Sequence, residues 1–436
     1  MQSKNVKIEL PDINKAEQGF IPNEKNNSIM FGLKGIMQIN NDTAKDIIDN
    51  RPYNNINDFY RKLILQKRER ILSTGKTQLK SIISDGQMLM LIKAGAFDKI
   101  ETLDREHILE KYLKMINPCK TKLTSRDIGK IQEMGLIPSE FKDIIKIYNF
   151  RDYIMTMKKT PDKNTKSIIW AIINDKENID MNEYANNFFL EHFADDMEED
   201  KDYKYDENGF LMIAIKTKRK GSFEYIYNQK INKILNWIKT EECLNKYNNY
   251  IFAEIKKQKM SGNISTWEME SMNYYYHEHE LQNVNIQQYD VIDFNKLSSE
   301  PKTIGFTKFR NMKYPKFELH RIMGTVLDRN KNKHSISLLT PTGVVTVKFY
   351  SGQFSFYDKA ISKDTGIDNT GKATKKILEY GWFSRGSKLL ITGFRRGDIF
   401  KPKRYKNSVY QHSVQKILEV KDDGNLILQS DRIRVE

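Results

Sequence analysis

The stretch IMFGLKGIMQINNDTAKDIIDNR, residues 29–51, decides how the rest of the chain is read. It reads as a strand, a short helix, a tight turn and a second helix. Phe31, Leu33, Ile36 and Ile39 form the first apolar set. Asn40, Asn41 and Asp42 then supply turn and cap chemistry, because short polar side chains accept from the free N–H groups of a helix start. Ala44, Ile47 and Ile48 recur at helical spacing. Two short helices joined by a tight turn make a helix–hairpin–helix pattern. In such a unit the turn amides and the start of the second helix can face a phosphate without touching a base. The candidate contacts are Lys34, Met37, Gln38, Ile39, Asn40 and Lys45. Two packed helices with nothing bound is the competing reading, and the hairpin residues alone do not separate the two.

Working outward, LPDIN stands at residues 10–14, FGL at 31–33, IIDNR at 47–51 and LIKAGAFD at 91–98, followed by Arg105. Further on, WEMESMNYYYHEHEL occupies residues 267–281, with Glu268, Glu270, Met272, Tyr275, His279 and Leu281 in matching places. In this order the segments resemble the C-terminal part of the alpha subunit of bacterial DNA polymerase III, a C-family DNA polymerase. Where that family has glycines in its hairpin, Gln38 and Asn40 stand here. Asn tolerates a left-handed backbone and Gln does so poorly. Where the family has Gly and Pro beside its histidine, Glu278 and Glu280 stand here.

The resemblance implies the end of the fingers, a DNA-contacting hairpin and an OB domain of a DNA-directed DNA polymerase, a nucleotidyltransferase of DNA replication. It also implies that the palm lies elsewhere, on a palm- and fingers-bearing polymerase chain that would hold the Mg²⁺ ions. Polymerisation uses paired carboxylates to hold two metals. The nearest stretch here, PDIN, has Asp12 but carries Asn14 in the second place, so it reads as a turn. The expectation is a chain that holds no cofactor and no metal and is not catalytic alone. It would position single-stranded and primed DNA for its partner. A phage-type split polymerase gene and a fragment of a longer polymerase fit equally. A sliding clamp is a further partner implied only by the resemblance, and no Gln-x-x-Leu-Phe-type peptide is found.

Composition sets wider bounds. The chain has 436 residues, with 72 Lys and Arg against 57 Asp and Glu, a formal net charge of +15. That balance suits a polyanionic partner. Cys119 and Cys243 stand far apart without a CxxC neighbour, so neither a zinc cluster nor a disulfide framework is expected. The start, MQSKNVKIEL, has no apolar leader and no stretch approaches a membrane span, so a cytoplasmic chain without membrane association is expected.

The C-terminal block carries a strand order. LHRIMGTVL at 319–327, residues 334–339 and 344–350 read as three strands, the last two a hairpin through Pro341, Thr342 and Gly343. One or two helices are expected in 355–380, then strands at 388–392 and 409–420. Five strands with a helix between the third and fourth is the OB-fold order. Such barrels stack bases on aromatics and track phosphates with cations. The candidates are Lys348, Phe349, Tyr350, Arg395, Arg396, Phe400, Lys401, Lys403, Arg404 and Lys406. Phe349 and Tyr350 point opposite ways on a strand, so only one of them can stack on a ligand.

The fold class expected is therefore multidomain α+β. It comprises a helical fingers-end and helix–hairpin–helix module at 1–118, a mixed insert at 119–262, a junction at 263–316 and an OB-fold barrel at 317–436. Helices are expected at 57–70 and 78–94, the latter capped by Gly95, and a connector at 284–314. The acidic run DDMEEDKD at 195–202 reads as a solvated loop and KTKRK at 216–220 as a basic loop. Two other functions stay open. One is a stand-alone single-stranded-DNA-binding or replisome scaffold protein. The other is a metal-dependent nuclease using His277 and His279.

Overall fold

A computed structural model describes residues 6–71, 75, 77–163, 168–215, 221–309, 312–367 and 373–433. The expected basic loop at 216–220 lies outside the described residues. The chain divides into two compact units, Leu113–Lys259 and the combination of Met1–Tyr112 with Met260–Glu436.

In the larger unit the strand Ser28–Met30 lies between Lys7–Glu9, parallel to it, and Ile21–Asn23, antiparallel. The PDIN stretch is a turn. The Asp12 carboxylate accepts the Asn14 N–H at 2.9 Å. Asn14 exchanges two hydrogen bonds with the backbone of Tyr53, each 2.8 Å. Arg51 donates from Nε to the Ile13 carbonyl at 2.8 Å, and Ile13 donates its N–H to the Ala96 carbonyl at 2.9 Å. The quoted motifs therefore bind each other. Around them Tyr53, Phe59 and Phe97 form a buried aromatic row, Tyr53 tilted against Phe59 and Phe59 edge-on to Phe97, with ring centroids 4.7 and 5.1 Å apart.

The helix Asp85–Lys93 is closed at its start by a capping box between Ser84 and Gln87. After its end Gly95 takes a left-handed φ of 80°. A Cβ there would lie 2.4 Å from Arg105 Nη2, so the glycine serves both the turn and the space that Arg105 occupies. The helix Ile264–Met272 packs on this one and is capped by Asn263.

Two expected helices are corrected. The helix at 57–70 is confined to Ile56–Tyr60 and one wide turn, Arg61–Leu65, after which Lys67–Ile71 is a strand. It pairs with Thr77–Ser81, which replaces the first part of the helix expected at 78–94. Phe59, Leu63 and Ile64 are the last buried residues at helical spacing, and beyond Leu65 no apolar stripe continues. Without such a stripe, pairing between two charged strands wins.

The C-terminal part is a closed five-stranded barrel. His320–Asn330, Ser335–Thr340 and Gly343–Lys348 run antiparallel in sequence order. The helix Ser351–Asp358 and Lys388–Arg396 follow, then Ile399–Pro402. Ile399–Pro402 joins Gly343–Lys348 in parallel and Lys388–Arg396 antiparallel. Pairing of His320–Thr325 with Lys388–Gly393 closes the barrel. This is an OB-like order. Gly324 sits where the first strand bends between its two partners. A Cβ there would lie 2.5 Å from the Leu339 carbonyl oxygen. Phe349, Phe383, Phe400, Trp382 and Ile391 fill the interior.

Three details differ from the expected barrel. The fifth strand is split: Ile399–Pro402 closes the barrel, and Val414–Val420 resumes along Lys388–Ile391 after a loop at 403–413. The segment 355–380 holds the end of one helix, then the paired strands Ile361–Ile367 and Ala373–Glu379. The expected connector contains another pair of strands, Thr303–Phe309 and Met312–Phe317.

The smaller unit is an antiparallel sheet in the order Lys158–Pro161, Ile169–Ile172, Leu211–Ala214, Tyr203–Tyr205, packed with helices such as Lys142–Thr156 and Asp180–His192. Phe150, Phe188, Phe189, Phe193 and Phe223 anchor its core. Its acidic run is partly neutralised by Lys201 on Glu198 and Lys230 on Asp196, both at 2.8 Å.

Candidate nucleic-acid interface

The N-terminal hairpin is built from the single turn Leu33–Gly35, residues 36–40, and the helix Asn41–Asp49. Leu33, Ile36 and Ile39 are buried and hold it to the module. Ile39 is therefore corrected from contact to core. Met37 is corrected as well, because its N–H donates to the Ser271 carbonyl at 2.7 Å. Gln38, not Asn40, adopts the left-handed backbone, with φ of 67°. The Gln87 amide holds that turn by donating to the Gln38 carbonyl at 3.1 Å and to Thr43 Oγ1 at 2.9 Å. Asn40 stays extended and caps the second helix by accepting from the Thr43 N–H at 2.9 Å. The N–H groups of Gln38, Asn40, Asn41 and Asp42 find no partner among the described residues. Lys34 and Lys45 are exposed beside them. A groove of about 510 Å³ adjoins the turn, lined by Gln38, Asn40, Asp46, Arg68, Lys80 and Gln87 among others. Arg68 spans it as a two-pronged partner of Asp46, at 2.9 and 3.3 Å.

On the barrel, strand alternation sorts the aromatic candidates. Phe349 is 5% exposed and Tyr350 67% exposed, so Tyr350 alone of the pair is available to a ligand. Phe400 is fully buried and is corrected to the barrel core. Arg395 is corrected too. Its guanidinium donates to the carbonyls of Phe294, Leu297 and Gly397 at 2.8–3.1 Å and lies 4.5 Å from the Phe294 ring centroid. Those bonds tie the barrel to the preceding chain. Arg404, although exposed, donates to the Gln411 carbonyl at 3.0 Å and braces the 403–413 loop. Lys348, Arg396 and Lys406 remain exposed, and Lys401 and Lys403 half-buried. The register places Lys348 and Lys401 one step beyond the Val347–Phe400 pair, on neighbouring strands.

The junction uses its polar groups internally. Glu268 is fully buried and accepts from Arg105 Nη1 at 3.0 Å and from the N–H groups of Tyr276 and His277 at 2.9 and 3.0 Å. Its Oε1 also lies 2.7 Å from His277 Nδ1. His279 Nε2 lies 3.1 Å from the Leu339 carbonyl, and burial pushes this imidazole below its usual range. Burial opposes ionisation of Glu280, but Lys388 at 2.7 Å, Thr266 and Tyr275 hold it below the usual carboxylate range. Neither histidine lies in a strand, and each is engaged with a different element. Among the described residues no group of three His, Cys, Asp or Glu side chains is placed to hold a metal ion.

The strands Thr303–Phe309 and Met312–Phe317 are absent from the sequence-based reading. Among the described residues, their Lys, Phe and Tyr side chains show no alternation of buried and exposed that would mark them. Among the described residues no helix is long and apolar enough to cross a membrane.

Comparison with known proteins agrees with this layout. A family model described as "Helix-hairpin-helix motif" matches residues 5–108. The "Probable DNA polymerase YorL" of Bacillus subtilis strain 168 is 38% identical over 435 residues, covering 100% of this chain and 30% of its own length. The "DNA-directed DNA polymerase" of Bacillus phage SPbeta gives the same 38% over 435 residues and the same 30% coverage. The chain thus spans about 30% of the length of these relatives. With a helix–hairpin–helix module at its start and an OB-like barrel toward its end, the chain is related in sequence, along its whole length, to DNA polymerases.

Proposed function

We propose that this chain is the DNA-binding C-terminal portion of a C-family replicative DNA polymerase. It positions template and primer for a palm-bearing partner chain. The observation that carries the reading is the barrel face. Tyr350 is exposed on it with Lys403 Nζ 6.0 Å from its ring centroid, and the same barrel exposes Lys348 and Arg396, in a chain related to DNA polymerases throughout. An exposed ring gives a base a stacking surface, and the cations track the strand. The hairpin supports a second contact through the free amides around Gln38 and the start of the second helix, flanked by Lys34 and Lys45.

Chemistry is assigned to the partner. A palm needs two carboxylates for its Mg²⁺ pair. Asp12 is committed to its own turn, and Asn14 is bonded to Tyr53, so these residues do not fit that role. The test is primer extension with Mg²⁺ and all four nucleotides, run beside a salt titration of binding to single-stranded DNA. Salt-sensitive binding without extension is expected. Extension by the pure chain would overturn the assignment of catalysis to a partner, and absence of binding would overturn the DNA-binding role.

A further inference from the structure

Beyond the barrel face, a row of alternating rings and ammonium groups runs off the barrel onto the strand pair 303–317. Lys403 Nζ lies 6.0 Å from the Tyr350 ring centroid and 5.9 Å from that of Tyr405. Lys316 Nζ lies 5.1 Å from the same Tyr405 ring. Tyr314 follows two residues from Lys316 in the strand Met312–Phe317, hence on the same face. It is 44% exposed, and among the described residues its hydroxyl meets only the Met312 sulfur, at 3.8 Å. The strand pair is fastened to the barrel at its base. The Phe317 N–H donates to the Tyr405 hydroxyl at 2.8 Å, and the Phe317 and Phe394 rings lie 4.7 Å apart.

This row has the chemistry of a single-strand track. Neither Lys316 nor Lys403 has a carboxylate partner among the described residues. Two unneutralised ammonium groups between partly exposed phenol rings call for a polyanion that also carries flat apolar faces. Single-stranded nucleic acid has both, a phosphate and a base in each repeat. A contact serving only to hold the strands to the barrel would need Tyr405, Phe317 and Phe394. It would not need Tyr314 left in solvent at the far end.

We infer that single-stranded DNA continues from Tyr350 past Tyr405 to Tyr314, with Lys403 and Lys316 on its phosphates, so that the paired strands Thr303–Phe309 and Met312–Phe317 are a second wall of the binding track. This rests on the DNA-binding role proposed above. The test compares oligo(dT) of about 8 and about 20 nucleotides, lengths near and above one barrel's site. Tyr314→Leu is expected to weaken binding of the longer oligonucleotide about 5- to 100-fold, the range for loss of one stacked base, while Tyr314→Phe keeps it. Lys316→Ala is expected to lower the slope of log affinity against log salt by about 0.7. Thermal melts of the variants should match the parent chain, because both side chains are exposed or half-exposed at the strand-pair surface. If the parent binds and Arg396→Ala weakens it, but Tyr314→Leu and Lys316→Ala change nothing, the track is refuted and the barrel site stands. If the parent binds neither oligonucleotide, both readings fall.

Discussion

Replacing Glu268 with Ala should open the junction between the helices Asp85–Lys93 and Ile264–Met272. Glu268 is fully buried and carries four hydrogen bonds, from Arg105, His277 Nδ1 and the N–H groups of Tyr276 and His277. Removing one partner of a buried ion pair costs about 3–5 kcal/mol, because the other charge is left without its counter-ion. Arg105 would keep Asp98 at 2.6 Å and the Lys93 carbonyl at 3.2 Å, which puts the expected cost at the lower end, about 3 kcal/mol. Tyr276 and His277 are exposed enough for their amides to rehydrate. They add little. Because the chain has two units, a single global unfolding free energy would mix them. Hydrogen exchange of a peptide covering 264–281 reads the junction locally. A loss of about 3 kcal/mol accelerates exchange roughly 150-fold when opening limits it. Glu268→Gln keeps the shape and one acceptor and should cost about 1–2 kcal/mol. Glu278→Ala, exposed in the same peptide, should leave exchange unchanged. Acceleration by less than about fivefold in Glu268→Ala, roughly 1 kcal/mol, would refute the view that this carboxylate holds the junction.

Three further predictions concern the hairpin, the barrel face and acid sensitivity. Gln38→Gly should raise the melting temperature, removing a left-handed penalty of about 1–2 kcal/mol less the chain entropy that glycine restores. Tighter duplex binding by the same variant would show that the turn approaches phosphate. Arg396→Ala and Lys401→Ala should each flatten the salt dependence of single-strand binding by about 0.7 in slope. Arg395→Ala should leave the slope alone and lower the melting temperature, since its guanidinium serves carbonyls of 294 and 297. Burial lowers the His279 pKa, so the unfolded chain takes up the proton first. Its contribution is full above the unfolded value of about 6.5 and is lost as pH falls through the lower folded value. Melting temperatures measured from neutral pH downward should drop less in His279→Gln than in the parent.

The elements legible in the sequence are those with a buried face. The 29–51 hairpin, the Gly95 cap and the barrel order each leave a periodic apolar mark, and each stands in the structure. The strand pairs Lys67–Ile71 with Thr77–Ser81, Thr303–Phe309 with Met312–Phe317 and Ile361–Ile367 with Ala373–Glu379 escape such a reading for the converse reason. They are held by pairing with each other, so no alternation of buried and exposed residues announces them. The sorting of Phe349 and Phe400 into the core follows from alternation in the first case only. Phe400 lies in a four-residue strand whose limits the sequence does not mark, because the fifth strand is broken by the 403–413 loop. Arg395 is easily misread because charge shows in a sequence and the carbonyls that absorb it do not.

The residues that carry the family resemblance and the residues offered to a ligand are largely different sets. Asp12, Asn14, Arg51, Gly95, Asp98, Arg105 and Glu268 bond one another or make room for one another. A motif of this kind marks how a scaffold is assembled. Buried polar groups must be fully partnered, and so they admit few substitutes. By contrast Tyr350, Tyr314, Lys316 and Lys403 lie outside the short motifs quoted above, where a contact to a backbone and a stacked base asks only for charge and a flat ring. It follows that exchanging Lys403 for Arg should keep single-strand binding within about threefold, since either cation serves a phosphate. Arg105→Lys should not be tolerated. One ammonium cannot reproduce the forked bonds to Asp98, Glu268 and the Lys93 carbonyl in a site where Arg105 is 4% exposed. An Arg105→Lys variant whose 264–281 exchange matched the parent would show that charge alone, without the fork, holds the scaffold together.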